Sequence, residues 1–436
     1  MAKKNLATAT AVQSMLHANS LIIEVGGSIR RITLEKFIDA LNEGQTELLH
    51  EIAWGIPIKD ATQSSPAWGM AGNLAAFNAY KSRVGRYLMD ANGRAAKLHP
   101  NSSTVFADGT TLDETKGSVV VIAPRLYFMY LVDAETSIPW LWMSEQPFSK
   151  HFLGNAGNGQ YIVVGAYKGS ITSGKLVSRR GVDCDTSSKT INGYWNAAQA
   201  FGSNWGLPNY DVWKWIAMMC LCETGGNANI QAEIGQGVGG SAGYDWGTVN
   251  ASATLKKTGH TAGLGDATGK VNLAGANADS SNVSVLGVED FWGLQWEFIQ
   301  GVYFGNSGNS GQTGTEIFIY EGNRMPSAEE LASHPNGKYR ELVRQTSSGY
   351  VSVMLKGEYF DIFASGLSGG SSSYWCDYYY GNNTGQVLLV GGRSDYGALS
   401  GPFYADSSIA WSFAYSSFGA RPAYYGQVQI VDGKDL

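Results

Sequence analysis

The first forty-five residues alternate between apolar and polar positions in a pattern that predicts a small hairpin followed by a short helix. The stretch LIIEVGGSIRRITLEKFIDALNEG contains two β-type runs, 21–25 and 28–32, separated by a Gly-Gly pair typical of hairpin turns. Thr33 is placed to cap a helix whose apolar residues recur every three or four positions. Because these elements bury too little surface to fold alone, we expect residues 1–45 to attach to another protein or another copy of the chain. The attaching side chains are expected to be Leu21, Ile23, Phe37 and Leu41.

Beyond residue 45 the apolar pattern predicts mainly strands, interrupted by two helices. RYLMDANGRAAKL has the signature of a hairpin with Asn92-Gly93 at its turn. GSVVVIAPRLYFMYLV and NGQYIVVGAYKGSI are rich in the apolar residues that favour strands. INGYWNAAQAFG and YDVWKWIAMMCLCETG instead show helical spacing, with one face of the second expected to be buried. Residues 224–282 are rich in Gly, Ala, Ser and Asn and lack periodicity, so we expect loops that are functional, disordered or held by tertiary contacts.

The segment GVEDFWGLQWEFIQGVYF, residues 287–304, is a dense aromatic cluster that precedes further strands. We expect Trp292 and Trp296 to be structural and mostly buried. The pattern as a whole predicts an α+β protein: a β-rich domain with two helices and long loops, preceded by the small attachment segment. The expected parts are 1–45, a mixed or β-rich linking region 46–115, and a domain 116–436.

Composition and charge exclude several classes of function. The 436 residues include 56 glycines, 11 prolines and 12% aromatic residues, which describes an ordered globular chain. A net charge of −6 with scattered Lys and Arg removes the electrostatic basis of nucleic-acid binding. No apolar run is long enough for a membrane helix or a secretory signal, so we expect neither membrane insertion nor export by a signal peptide. The four cysteines have no metal-ligand spacing, and Cys220 and Cys222 are expected to be buried thiols made in a reducing compartment.

No catalytic or cofactor motif is present in the sequence. The six histidines lie outside any known nucleophile context, and Glu289 and Asp290, as neighbours on a strand, are expected to face opposite sides. GQGVGG lacks the lysine and glycine spacing of a phosphate loop, and NANADSSN offers a calcium ion one carboxylate among amides. We expect no cofactor and no metal, with calcium as the minor alternative.

The stretch GGRSDYGALSGPFYADSSIAWSFAYSSFGARPAYY, residues 391–425, is dense in Tyr, Ser and Gly and poor in charge. Binding surfaces use this composition because tyrosine offers a rigid amphipathic ring, while serine and glycine adapt their hydrogen bonds around it. The same composition also suits the aromatic-packed end of a β-rich core. The residues alone leave both interpretations open.

Several blocks in a fixed order resemble the C-type lectin-like, formylglycine-generating-enzyme-like fold of bacteriophage receptor-binding proteins. They begin at APRLYFMYLVD and WLWMSEQPFSKHF, continue through YIVVGAYKGSITSGKLVSRRGV, WNAAQAFGSNWGLPNYDVWKWIAMMCLCETGG and GVEDFWGLQWEFIQGV, and close with GGRSDYGALSGPFY and SSFGARPAYY. The resemblance covers about the last 320 residues. The closing block is similar to the variable region of proteins that retroelements diversify. Residues 1–45 resemble the attachment segments of phage fibre proteins.

This resemblance implies a rigid framework with exposed variable positions at about 390–421. The framework would comprise Gly391, Gly392, Gly401, Gly419 and Arg421. The variable, ligand-binding positions would be Arg393, Asp395, Tyr396, Leu399, Ser408, Ile409, Phe413, Tyr415 and Ser417. All nine belong to the residue types that adenine-directed mutagenesis of AAY codons can produce. Tryptophan does not, so Trp411 would be framework or an invariant contact.

The leading hypothesis is a virion protein, assembled in the host cytoplasm, that attaches to a host cell-surface protein or glycan without catalysis. The resemblance further implies a homotrimer that joins other phage structural proteins through residues 1–45. The alternative is an enzyme on the same scaffold, either a surface-glycan depolymerase or an oxidase. Oxidases of this fold use a cysteine pair near the C-terminus, where this chain has Cys376 alone. A glycan hydrolase needs two facing carboxylates. The C-terminal segment offers for that role Asp361, Asp377, Asp395 and Asp406 and no glutamate.

Overall fold

The architecture is taken from a computed structural model of the whole chain. The structure describes residues 20–25, 28–33, 49–58, 67–147, 153–154, 160–273, 279–305, 315–327, 329–330, 339–355 and 359–436. Within those ranges the protein is β-rich with few helices, which agrees with the β-rich character expected from the sequence.

The strands are numbered in chain order. They are β1 (Ser20–Val25), β2 (Ser28–Thr33), β3 (Trp54–Pro57), β4 (Ala71–Gly72), β5 (Gly85–Met89), β6 (Arg94–His99), β7 (Ser102–Phe106), β8 (Ser118–Pro124), β9 (Tyr127–Val132), β10 (Pro139–Ser144), β11 (Leu153–Gly154), β12 (Tyr161–Gly165), β13 (Ser170–Thr172), β14 (Lys175–Val177), β15 (Trp205–Gly206), β16 (Gly269–Asn272), β17 (Ser281–Val285), β18 (Val288–Glu289), β19 (Trp296–Phe304), β20 (Glu316–Tyr320), β21 (Tyr339–Val343), β22 (Gly349–Tyr350), β23 (Val353–Met354), β24 (Ala364–Gly366), β25 (Tyr378–Tyr380), β26 (Val387–Gly391), β27 (Gly401–Ile409), β28 (Phe418–Gly419), β29 (Ala423–Tyr424) and β30 (Gln429–Val431).

The helices among the described residues are mostly short. The α-helices are α1 (Leu49–Ile52), α2 (Leu74–Lys81), α3 (Ile191–Phe201), α4 (Tyr210–Glu223), α5 (Ile230–Glu233) and α6 (Trp246–Ala251). The 3-10 helices are Glu114–Lys116, His260–Leu264, Ser394–Leu399 and Gly433–Asp435. None of the helices in the described ranges is long and apolar enough to cross a membrane.

Two eight-stranded sheets form the bulk of the molecule. The first has the order β15-β29-β12-β8-β5-β6-β30, with β7 paired to β6, and so joins strands from both sides of residue 116. The second has the order β21-β20-β19-β26-β27-β25-β22, with β28 paired to β19. A five-stranded sheet, β11-β9-β10-β3-β4, and the three-stranded sheet β16-β17-β18 pack beside them. The chain passes from the second sheet to the first between β28 and β29, near its C-terminal end.

The predicted hairpins are present. Strands β1 and β2 pair antiparallel on either side of residues 26–27. Strands β5 and β6 also pair antiparallel, and Gly93 in their turn has a φ of +92°, a conformation that favours glycine. The predicted helix after Thr33, all of Phe37 and Leu41, and the side chains of Leu21 and Ile23 lie outside the part of the chain that the structure describes.

Both predicted helices form, and α4 lies at the centre of the molecule. The Asn209 side chain caps α4 by accepting a hydrogen bond from Val212 N at 3.1 Å. Unlike the one-sided burial expected, nearly every side chain of α4 is buried, including both cysteine thiols. Its Trp213 indole donates to Pro402 O of β27 at 2.9 Å, so the helix supports the second sheet from within.

The glycine-rich region 224–282 is held by tertiary contacts where the structure describes it. A side chain at Gly239 would clash with the backbone of Ser394, and Gly237 lies directly against Gly293. The short elements α5, α6 and β16 lie within the segment. We expected loops that are functional, disordered or held by tertiary contacts, and the described part of this region is held by tertiary contacts.

A candidate binding surface at residues 391–417

The candidate surface begins at a tight connection between β26 and β27, where glycine is required. Gly391 and Gly392 have φ values of +84° and +74°, which L side chains rarely adopt. A side chain at Gly391 would also clash with Phe291 O, and one at Gly392 would clash with Ser400. These two residues therefore turn the chain into the 3-10 helix Ser394–Leu399 within fixed surroundings.

A buried ionic network lies under the surface at the crossing between the two large sheets. The Arg421 guanidinium, fully buried, donates to both carboxylate oxygens of Glu297, with Nε to Oε2 at 2.7 Å and Nη2 to Oε1 at 2.5 Å. It also donates to Gly165 O and Glu289 O, both at 2.9 Å. The ammonium of Lys168 reaches the same Glu297 carboxylate at 2.6 Å.

The ionisation of Glu297 is controlled by burial and by its two cationic neighbours. Burial disfavours ionisation of Glu297, but Arg421 and Lys168 outweigh that effect and hold the pKa of Glu297 below its ordinary value. Burial lowers the pKa of Lys168, although Glu297 opposes the shift. Arg421 is thus a structural residue that links the two sheets.

A continuous row of aromatic rings passes beneath the 391–417 segment and reaches the surface at one end. Successive ring centroids along the row lie between 4.9 and 5.9 Å apart. The members of this aromatic row, in order, are Tyr350, Tyr378, Tyr380, Tyr396, Trp296, Phe418, Tyr415 and Phe413. Such contacts fix ring positions and each contributes about 0.5–1.5 kcal/mol beyond the area it buries.

Exposure changes sharply along this row. Trp296 and Phe418 are buried in its middle, whereas Phe413 and Tyr415 at one end are 41% and 53% exposed. Phe413 and Tyr415 touch each other edge to face at 5.9 Å. Phe413 and Tyr415 therefore form an exposed pair of rings at the end of the row. The pair rests on Trp296 and Phe418, which we call the buried aromatic base.

Arg393 adds a cation to the row. Its guanidinium lies 4.5 Å from the ring centroid of Trp296 and 5.5 Å from that of Tyr396. It also pairs with Asp395 and donates to Ser417 Oγ at 3.2 Å. Arg393 is only half-buried, so one edge of it remains accessible beside the aromatic rings.

The nine predicted positions divide by exposure. Phe413 and Tyr415 are exposed. Five are half-buried: Arg393, Asp395, Tyr396, Leu399 and Ser408. Ile409 and Ser417 are buried, because Ile409 ends β27 inside the second sheet and Ser417 lies beneath Arg393.

Tyr396 differs from the expectation that it would stand exposed beside Phe413 and Tyr415. Its ring packs edge-on against Trp296 at 4.9 Å and against Tyr404 at 5.8 Å. Burial raises the pKa of its hydroxyl well above the ordinary value. Trp411, which was expected to be a framework residue or an invariant contact, stacks on the buried Tyr303 at 5.1 Å.

Sequence reasoning missed a second segment that flanks this surface. The Trp246 indole at the start of α6 donates to Ser416 Oγ at 3.0 Å, and Tyr244 N donates to Ser394 O at 2.5 Å. Ser241 and Ala242 beside them are exposed. The run of close-packed glycines at 237–243 is the one sequence signal that could have indicated this docking.

Asp361, Asp377, Asp395 and Asp406, the residues considered for a catalytic pair, each have a partner within the protein. Asp361 pairs with Arg340, and Asp395 with Arg393. Asp377, fully buried, accepts from Phe403 N at 2.6 Å, while Asp406 accepts from Ser408 Oγ at 2.6 Å. Burial raises the pKa of Asp377 to about 7 and that of Asp406 to about 6. Over the described ranges, no group of three or more His, Cys, Asp or Glu residues is placed to hold a metal.

Comparisons with known proteins give weak structural similarity. No family model matches the chain, and no curated protein matches it in sequence. A solved structure of the Major Tropism Determinant I1 Variant is similar with a TM-score of 0.29 and 13% identity, covering 79% of this chain and 84% of that one. The M1 Variant has a TM-score of 0.30 and 13% identity over 80% and 84%. The U1 Variant has a TM-score of 0.27 and 12% identity over 80% and 85%.

Proposed function

We propose that this chain is a virion receptor-binding protein that attaches to a host cell-surface protein or glycan through the 391–417 surface. The observation that supports this most directly is the exposed Phe413–Tyr415 pair on its buried aromatic base. Binding hot spots combine an accessible aromatic anchor with a surround that is already ordered. A rigid anchor also loses little conformational entropy when a partner covers it.

The polar residues around the aromatic pair are suited to selecting between possible receptors. Arg393 and Asp395 present a half-exposed ion pair, and Ser408, also half-buried, donates its hydroxyl to Asp406. Polar groups around a central aromatic anchor select partners more than they strengthen binding. Ile409 and Ser417 support the surface from below.

The attachment we propose is non-catalytic. Asp361, Asp377, Asp395 and Asp406 each have a partner within the protein, and Asp377 and Asp406 are buried. Burial also raises the pKa of the Cys376 thiol to about 12, which leaves it un-ionised at neutral pH. These features disfavour the depolymerase and oxidase alternatives.

The finer parts of the proposal come from the resemblance of the sequence blocks. We infer a C-type lectin-like domain, a variable region diversified by a retroelement, and a homotrimer attached to the virion through residues 1–45. A near-copy of the coding block for residues 390–421, with adenines at the candidate codons and a reverse transcriptase gene beside it, would support diversification. Its absence from the surrounding DNA would count against it.

Cell binding by matched variants tests the attachment proposal. Fluorescently labelled full-length protein is titrated onto a panel of intact bacterial strains, and released oligosaccharide is measured in the same supernatant. The variants are Phe413→Ala and Tyr415→Ala, with Tyr359→Ala as control. Tyr359 is 39% exposed, and its ring packs on Arg340 rather than on the 391–417 segment.

Saturable binding to at least one strain without oligosaccharide release is the expected result. Each hot-spot substitution should weaken that binding at least about thirtyfold, which corresponds to about 2 kcal/mol. Phe413→Ala loses one ring contact and Tyr415→Ala loses two, so the free energy of unfolding should fall by about 0.5–3 kcal/mol, and binding is compared at a temperature at which every variant is folded. Equal binding by Tyr415→Ala and Tyr359→Ala would place the receptor site elsewhere, and oligosaccharide release would favour the enzyme.

A further inference from the structure

A cavity lies against the first eight-stranded sheet, and none of its lining residues belongs to the 391–417 segment. It has a volume of about 730 Å³, within the range typical of small-ligand sites. Its floor is the sheet itself, with residues contributed by β12, β8, β5, β6 and β30. One wall is formed by the segments that lead into and out of the five-stranded sheet.

Three tyrosine rings line this cleft. Tyr161 lies opposite Pro124 in the β12–β8 pairing, and Tyr87 lies opposite Lys97 in the β5–β6 pairing. Tyr127 stands at the wall, where β9 begins. All three are half-buried, so each presents part of its ring to the cavity. Ile430, 51% exposed, extends the apolar floor at its far side.

The cleft also carries a positive charge in a protein whose net charge is −6. Arg83, Lys97 and Arg125 line it against a single carboxylate, Glu145, which gives the lining a formal charge of +2. Glu145 is already paired with Arg83. The two remaining cations therefore set the charge that a ligand meets.

Arg125 is the cation with unused hydrogen-bonding capacity. Its guanidinium stacks over the Tyr127 ring at 5.0 Å, and its Nε is buried without an acceptor among the described residues. Lys97 makes no ion pair with a described carboxylate. Its positive charge does act on Asp266 beside the cleft, where it favours the ionised form of that carboxyl.

We propose that this cleft binds an acidic oligosaccharide, in which a uronate-type carboxylate pairs with Arg125 while sugar rings lie on the tyrosines. A pyranose ring presents C–H groups on its face and hydroxyls at its edge, which matches the amphipathic tyrosine side chain. The planar guanidinium matches a carboxylate with two parallel hydrogen bonds. The side chains of Gln146 and Gln160 at the rim supply amide groups for the hydroxyls. This site is independent of the 391–417 surface.

Calorimetric titration of the full-length protein with two matched sugars tests the proposal. The probes are a tetrasaccharide that contains glucuronate and the same tetrasaccharide with its carboxylates reduced to alcohols. The variants are Arg125→Gln, Arg125→Lys and, as control, Lys116→Gln. Lys116 is an exposed cation just before the opposite end of β8, so it matches the charge change without touching the cleft.

The acidic sugar should bind saturably at millimolar concentration or below, and its reduced form should bind at least about tenfold more weakly. Arg125→Gln should lose this preference by about 10- to 100-fold, the range of a charge-assisted hydrogen bond. Arg125→Lys should retain part of it, and Lys116→Gln all of it. Equal binding of the two sugars, an unchanged preference in Arg125→Gln, or tighter binding of a short single-stranded oligonucleotide would overturn the proposal. Failure of cell attachment by Phe413→Ala would leave this result unaffected.

Discussion

Replacing Arg421 with alanine is expected to destabilise the whole fold. Arg421 joins the two large sheets where the chain crosses between them, and it donates to Glu297, Gly165 O and Glu289 O. The substitution leaves the Glu297 carboxylate with Lys168 as its remaining cation. It also leaves two buried carbonyl oxygens without this donor.

The magnitude follows from burial. Arg421 and Glu297 have no solvent exposure, and Lys168 is 1% exposed, so water cannot replace the lost partner. Removing one member of a buried ion pair costs about 3–5 kcal/mol because the other charge stays buried and uncompensated. That loss is a large share of the 5–15 kcal/mol that stabilises a typical domain.

Urea unfolding followed by tryptophan fluorescence measures the effect. Lys434→Ala is the control, because its ion pair with Asp432 is exposed and should contribute about 1 kcal/mol or less. Arg421→Ala should lower the free energy of unfolding by about 3–5 kcal/mol. If the two variants lost equal stability, the buried network would not hold the sheets together as described.

The other predictions concern two aromatic side chains, Trp292 and Tyr396, and one buried carboxylate, Asp377. Trp292→Ala should cost about 3–5 kcal/mol in urea unfolding, since the side chain is fully buried; a loss below about 1 kcal/mol would contradict its structural role. Tyr396→Ala should cost about 1–3 kcal/mol through its contacts with Trp296 and Tyr404, and unchanged stability would refute that packing. Burial raises the pKa of Asp377 from 3.8 to about 7, so over that window the folded state holds a proton that the unfolded state has released. Stability should therefore fall as the pH rises from about 4 to 7, and Asp377→Asn should flatten that slope; an unchanged slope would show that Asp377 does not titrate there.

Local patterns predicted the elements whose residues are neighbours in sequence. Helical spacing predicted α3 and α4, and Asn92-Gly93 predicted the β5–β6 turn, because turn chemistry and periodicity act over a few residues. The density of apolar residues in 287–304 also predicted the burial of Trp292 and Trp296, which the structure confirms.

Features built from distant residues were not predictable from the sequence pattern. Tyr396 is half-buried because Trp296, a hundred positions earlier, provides its packing partner. The partner of Arg421 is likewise distant in sequence, because Glu297 lies on β19, 124 positions earlier. The segment 241–248 reaches the surface through the Trp246 indole, the Tyr244 backbone and the close approach of Gly243 to Asp395, contacts that leave no apolar periodicity to detect.

Contact at Tyr415 itself is the most direct test of receptor binding by the 391–417 surface. The photoreactive residue p-benzoylphenylalanine replaces Tyr415 in one sample and Tyr359 in another, and each full-length protein is irradiated on a strain that it binds. The account predicts a crosslink to a cell-surface molecule at position 415 that unlabelled protein competes away, and none at position 359. Equal crosslinking at both positions, or crosslinking at 359 alone, would contradict it.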